Sequence, residues 1–183
     1  MNEEFKTLSN IMDNRYSCRA YLSKEVTNEN INQIVSTASK VPTWCNAQPW
    51  SVLVTKGNQT KAFSKALVDA VKSGPMNPDF DWPKQYTGEY QARRRVCGYQ
   101  LYESLGIARE DRKSRAEQMM QNFKFFGAPH VAIITTESDL GPLWGNGLWW
   151  VHSIVRIGCA RARGSISCSS FCNWLCTNHS KSF

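Results

Sequence analysis

The chain has 183 residues, 42% hydrophobic and 20% charged, with a formal net charge of +7. That length supports one domain with a real core; no run of eighteen apolar residues offers a membrane span, and the acidic start Met1-Asn2-Glu3-Glu4 is no secretory signal. With no export signal the expected location is the cytoplasm, where seven cysteines read as thiols rather than a disulfide framework.

Residues 3–14 are predicted helical, with Phe5, Leu8, Ile11 and Met12 on one face. Residues 15–22 bend into extended chain. Thr27 is the predicted N-cap of a helix whose apolar side is Ile31, Ile34, Val35 and Ala38. Residues 42–49 form a Pro-bracketed loop and residues 50–55 a strand. Residues 58–72 make an amphipathic helix with Phe63, Ala66, Leu67 and Ala70 inward. Pro75, Pro78 and Pro83 make residues 73–88 a loop, long enough to serve as a lid. A helix over 89–105 ends at Gly106 as its C′ residue. A polar helix follows over 109–122, then a turn at 125–129. Residues 131–136, Val-Ala-Ile-Ile-Thr-Thr, give the clearest strand. Helices interleaved with few strands imply an α+β or α/β layer fold.

Two segments carry the chemistry. Arg15-Tyr16-Ser17-Cys18-Arg19 sets two cations and a hydroxyl at alternate positions of an extended stretch. Arginine offers a planar fork to phosphate or carbonyl oxygens and serine adds a short donor. Taken alone, R-x-S-x-R reads as a solvated turn. About two dozen residues later, Pro42-Thr43-Trp44-Cys45-Asn46-Ala47-Gln48-Pro49-Trp50 presents donors and acceptors from Thr43, Asn46 and Gln48. Trp50 itself reads as core packing.

In this order and spacing the two segments resemble the nitroreductase family of FMN enzymes, which carry R-x-S-x-R or K and then P-[ST]-x-x-N-x-Q-P-W. The resemblance runs from about Met12 to Pro142. Residues 93–112, R-R-R-x-C-G-Y-x-L-Y-x-x-L-G-I-A-R-x-D-R, look like members related to nitrobenzoate reductases. The resemblance implies an α+β three-layer sandwich, a central mostly antiparallel sheet flanked by helices, in an obligate homodimer. It implies FMN held by Arg15, Ser17, Arg19, Pro42, Thr43, Trp44, Asn46 and Gln48, with NAD(P)H as electron donor and nitroaromatics or quinones as acceptors. Arg15 and Ser17 are implied at the phosphate or ribityl end. Arg19 is implied at the pyrimidine side, where a cation stabilises the charge of the reduced ring. The loop at 42–48 is implied at the dimer seam. Many members carry Ser or Gly where this chain has Trp44 and Cys45. No side-chain nucleophile or base is needed, so no catalytic residue is expected. The different-class alternative is a catalytically inactive flavoprotein remnant or dimerisation module.

The resemblance stops after Pro142. The last acidic residue is Asp139, and the 44 residues from 140 to 183 carry four cations and no anion. They also hold four of the seven cysteines and four of the seven tryptophans. Read as codons, residues 143–152 permit Y-G-V-M-D-C-G-G-Y one nucleotide later, like the family's Y-G-x-x-D-C-G. Further on, the same shift permits Q-S-C-E-L-A-A-R-A-R-G and R-A-Q-A-S-A-I-G-F. The expectation is an FMN-binding domain over 1–142, incomplete at its C-terminal side, and an aberrant, frameshifted tail over 143–183 without coherent burial. Such a chain would lack the family's C-terminal cation pair for the FMN phosphate. It would also leave the apolar faces of the 31–38 helix and the 131–136 strand partly uncovered.

Other patterns point elsewhere weakly. Much of the positive excess lies in the tail and no basic-aromatic stripe precedes it, so no nucleic-acid partner is expected. Cys168, Cys172, Cys176 and His179 have i, i+4, i+8 spacing rather than the close pairs of a zinc site, so no metal is expected. Arg93-Arg94-Arg95 reads as a solvated helix face and His130 as structural.

Overall fold

The computed structural model describes residues 2–75, 78, 82–137, 139, 151, 153 and 155. The first helix, α1, spans Glu3–Asp13. Asn2 Oδ1 accepts from the amides of Glu4 at 2.6 Å and Phe5 at 3.2 Å, satisfying donors that a helix start leaves orphaned. Helix α2, Asn28–Ala38, is capped by Thr27, whose hydroxyl accepts from Asn30 N at 3.3 Å. Strand β1 is Ser51–Lys56. Helix α3 is Asn58–Ser73, α4 is Gly88–Ser104 and α5 is Arg112–Met120. Strand β2 is His130–Thr135.

Strands β1 and β2 pair antiparallel, from Ser51 opposite Thr135 to Lys56 opposite His130. Side chains alternate across a strand, so this register puts Val52, Val54, Ala132 and Ile134 on one face. On that face Ala38 of α2 meets Ile134, with Ile34, Val41, Trp50, Val52 and Ala132 packed around them. The opposite face meets α3. There Thr60 donates to the Pro129 carbonyl at 3.0 Å, which leaves Thr55 to donate to Thr60 Oγ1 at 2.9 Å. Phe63 of α3 stacks on buried Phe125 with centroids 5.5 Å apart. Helix, sheet and helix make three layers, an α+β arrangement.

Three expectations need correction. Ala66 and Ala70 are exposed; α3 turns Thr60, Phe63, Ser64, Leu67 and Val68 inward instead. Ser64 is drawn in because its hydroxyl donates to the Phe123 carbonyl at 3.0 Å. Helix α5 is shorter than predicted because Asp111 caps it late, accepting from Ser114 N at 2.9 Å. The tail does carry some coherent burial: Val151 and Val155, one helical turn apart, are 1% and 3% exposed and complete the cluster of Ala38 and Ile134. An i, i+4 apolar pair suffices to fill that slot. Beside it on α2, Ile31 and Val35 are half-buried, and Val131 and Ile133, on the sheet face toward α3, are half-buried too. Most of the 73–88 loop's centre, the rest of the tail and the Cys168–His179 pattern lie outside the described residues.

Candidate functional site

Helix α1 stops at Asp13, and Arg15 N closes the turn on the Met12 carbonyl at 3.2 Å. The chain then runs past Arg15 and Arg19, both exposed, with Ser17 and Cys18 half-buried between them. Arg19 Nη1 donates to the Ser17 carbonyl at 3.4 Å, a long contact that leaves most of the guanidinium fork open. Cys18 Sγ donates to the Ala20 carbonyl at 2.9 Å. Among the described residues the ion pairs join Lys6 to Glu3, Lys65 to Asp69 and Arg93 to Glu89, so neither Arg15 nor Arg19 is neutralised by a carboxylate. Their charge is therefore open to an anion from outside the segment.

The loop at 42–48 is anchored at both ends, since Val41 and Trp50 pack on the core cluster. Trp50 is core packing, as its sequence context predicts. Between the anchors the backbone turns left-handed, with φ of 51° at Cys45, 52° at Asn46 and 45° at Gln48. Besides the backbone bonds from Asn46 N to the Thr43 carbonyl and from Ala47 N to the Trp44 carbonyl, two side-chain bonds hold the turn: Gln48 N donates to Thr43 Oγ1 at 3.1 Å, and Gln48 Nε2 donates to Asn46 Oδ1 at 3.1 Å. Pro42, Asn46 and Gln48 are exposed and Thr43 is half-buried. Trp44 is 79% exposed, so its ring lies off the loop and does not pack into it.

The chemistry of the donor set suits a phosphorylated, ring-bearing cofactor. Two guanidiniums and a hydroxyl can meet phosphate and carbonyl oxygens, and two side-chain amides can meet ring edges. The described bonds tie each segment to itself. Among the described residues, no group of three His, Cys, Asp or Glu is placed to hold a metal ion.

His130 lies outside this chemistry. Val26 N–H donates to Nε2 at 2.9 Å, so that nitrogen is unprotonated and Nδ1–H donates to the Thr55 carbonyl at 3.1 Å. The ring is a structural strap. The arginine run divides in a way its sequence does not reveal. Arg93 pairs with Glu89 at 2.6 Å, whereas Arg94 and Arg95 line a groove shared with α5. The partners of that groove lie more than a dozen residues downstream, so only the fold unites them.

The Nitroreductase family model matches residues 12–144. The chain is 32% identical over 125 residues to a nitroreductase of Mycolicibacterium smegmatis, covering 68% of this chain and 53% of that protein. It is 31% identical over 159 residues to a 4-nitrobenzoate reductase of Pseudomonas putida, covering 86% and 69%. Among solved structures, an FMN and NADPH-dependent nitroreductase from sphigopyxis sp. strain HMH superposes with a TM-score of 0.78 at 29% identity, over 82% of this chain and 69% of that one. An FMN-dependent nitroreductase from Mycobacterium smegmatis in complex with NADPH gives 0.80 at 25% identity, over 85% and 71%. The chain spans about half the length of the Mycolicibacterium relative. A match covering 86% of the chain also reaches past residue 144.

Proposed function

This chain belongs to the nitroreductase family, and from that premise we propose that it is an oxidoreductase that binds FMN and passes electrons from NAD(P)H to nitroaromatic or quinone-type acceptors. The carrying observation is the pair of unneutralised, exposed guanidiniums, Arg15 and Arg19, in a short segment beside Ser17. Bound FMN would supply the redox chemistry, accepting and releasing electrons.

The chain's own residues bind, orient and tune. Arg15 and Ser17 hold the phosphate or ribityl end. Arg19 would hold the pyrimidine edge, where its fixed charge would favour negative charge on the ring. Pro42, Thr43, Trp44, Asn46 and Gln48 form the second wall. The left-handed turn at 45–48 presents backbone and amide groups, and Trp44 provides a flat apolar face. These contacts belong to residues 1–142, read as the FMN-binding part of the fold. The protein acts as a cytoplasmic homodimer in this reading. Phe5, Leu8 and Met12 form an α1 stripe, each more than half exposed, that a second subunit can cover.

The test is flavin binding. Titrated with FMN, the chain should bind it saturably, and Arg19→Ala should weaken binding by roughly one to two orders of magnitude, about 1.5–3 kcal/mol for a charge-assisted bond. Arg93→Ala, which removes an arginine already paired on α4, should leave FMN affinity unchanged. Equal flavin content in the Arg19 variant and the parent, read by absorbance, would count against the assignment.

A further inference from the structure

We propose that the groove between α4 and α5 is a second ligand site, for a phosphate-bearing, ring-containing anion of the nucleotide class. The groove encloses about 740 Å³, within the range of small-molecule sites. Arg94 and Arg95 enter it from α4, Arg109 from the turn before α5, and Arg115 from α5. Against these four cations the lining has one carboxylate, Glu103. None of the four arginines forms an ion pair among the described residues. Arg93, on the same helix but outside the groove, does.

Two of the four guanidiniums are held in place within the groove, while Arg94 lies over the Tyr86 ring outside its lining. Arg115 lies 4.7 Å from the Tyr102 ring centroid, and its Nη1 donates to the Arg109 carbonyl at 3.1 Å. Arg109 lies 5.6 Å from the Tyr99 ring. Stacking spends the ring-facing side of each fork and leaves donor edges free for oxygens. Core packing does not explain the cluster, because α4 has no buried residue. Arginine stems covering apolar surface account for part of the cluster at most, because of the apolar side chains there only Leu101, Tyr102 and Ile107 are even half-buried.

The charge selects the ligand. Four cations and one anion leave a strongly positive cleft, which a monocarboxylate neutralises only in part. A phosphomonoester or diphosphate brings more charge and three-oxygen faces that match the forks. Tyr99, half exposed, offers a ring surface beside them. The site shares no residue with the proposed flavin site.

The experiment uses the full chain saturated with FMN, with ADP, adenosine and benzoate as probes. Cys97 is a free, exposed thiol in the groove, so its alkylation, followed by mass spectrometry, reports occupancy, with exposed Cys45 as internal reference. ADP should bind saturably, slow alkylation of Cys97 relative to Cys45, and be displaced by inorganic phosphate. Arg109→Gln and Arg95→Gln should each weaken ADP roughly tenfold, while Arg93→Gln should not. Arg95 is exposed on α4, so its loss tests the site without disturbing the fold. Absence of saturable ADP binding, or binding indifferent to both variants, overturns the proposal. Benzoate binding as tightly as ADP overturns the phosphate assignment, and release of bound FMN as ADP saturates overturns the separation of the two sites.

Discussion

Left-handed backbone at Cys45, Asn46 and Gln48 is the costliest local feature of the 42–48 loop. A β-carbon at positive φ costs about 1–2 kcal/mol at most residues, and less at asparagine, whose short amide tolerates it. Gln48 offsets part of that cost through its bonds to Thr43 and Asn46. Cys45 has no such bond and is exposed, so its strain stands alone. Cys45→Gly should therefore raise stability, by up to about 1 kcal/mol after glycine's extra unfolded-state entropy is subtracted. Cys45→Val, a β-branched residue at φ 51°, should lower it by about 1 kcal/mol or more. Urea midpoints of the two variants should move in opposite directions; movement together would mean that the turn is not left-handed in solution. Asparagine at 46 hints at such a turn in the sequence. Nothing about cysteine or glutamine does, which is why the loop's residues were legible and its handedness was not.

Periodicity and capping chemistry made most elements readable. Thr27 caps α2 as expected. Gly106, at φ 65°, ends α4 with Gly106 N on the Glu103 carbonyl and Ile107 N on the Tyr102 carbonyl, the paired bonds of a Schellman turn. Contacts between distant elements were not readable. His130 could be read as structural, but not as the strap joining Val26, before α2, to Thr55 of β1. His130→Ala removes both bonds and leaves a part-buried amide and carbonyl without that partner, at about 1–3 kcal/mol. The loss should appear as a lowered urea midpoint, with faster amide exchange at Val26; an unchanged midpoint would show that water replaces the ring at no cost. The cap of α5 adds a pH dependence. Bonds from the Ser114 hydroxyl, then the Ser114 amide, hold the Asp111 carboxyl below its ordinary range. A depressed carboxyl stabilises the folded form above its unfolded value and loses that contribution as pH falls through its folded value. The start of α5 should therefore fray on acidification, seen as faster Ser114 amide exchange after correction for intrinsic rates. Asp111→Asn, which can cap without ionising, should remove that dependence.

At the scale of the whole molecule the open matter is what completes the layer above α2 and β2. A two-stranded sheet, which is what the described residues form, is marginal by itself, and among the described residues Val151 and Val155 close the cluster beneath α2. A slot that needs an apolar pair one turn apart can be met by many sequences, so this burial does not by itself mark the 143–183 stretch as the segment the fold evolved to hold. The surrounding composition argues the other way. Val155 is followed by Arg156, and Arg161 and Arg163 come soon after in a stretch with no acid to balance them. Trp149 and Trp150 stand side by side, with no polar alternation to tell an inside from an outside. The expected change of reading frame near codon 143 would preserve some apolar positions by accident and discard the pattern. Two versions of the gene decide between these histories: one encoding the chain as given, and one with a single nucleotide removed near codon 143. The restored frame should yield more soluble protein, a dimer by light scattering and a higher flavin content, because a patterned helix would cover Ile31 and Val35 as well as Ala38 and Ile134. In the given chain, Val151→Asp should unfold what is soluble, because an unpaired charge at a site 1% exposed costs several kcal/mol. Should the given chain prove soluble, dimeric, yellow and as active as the restored one, the frame reading fails, and Val151 and Val155 are then the start of a genuine closing helix.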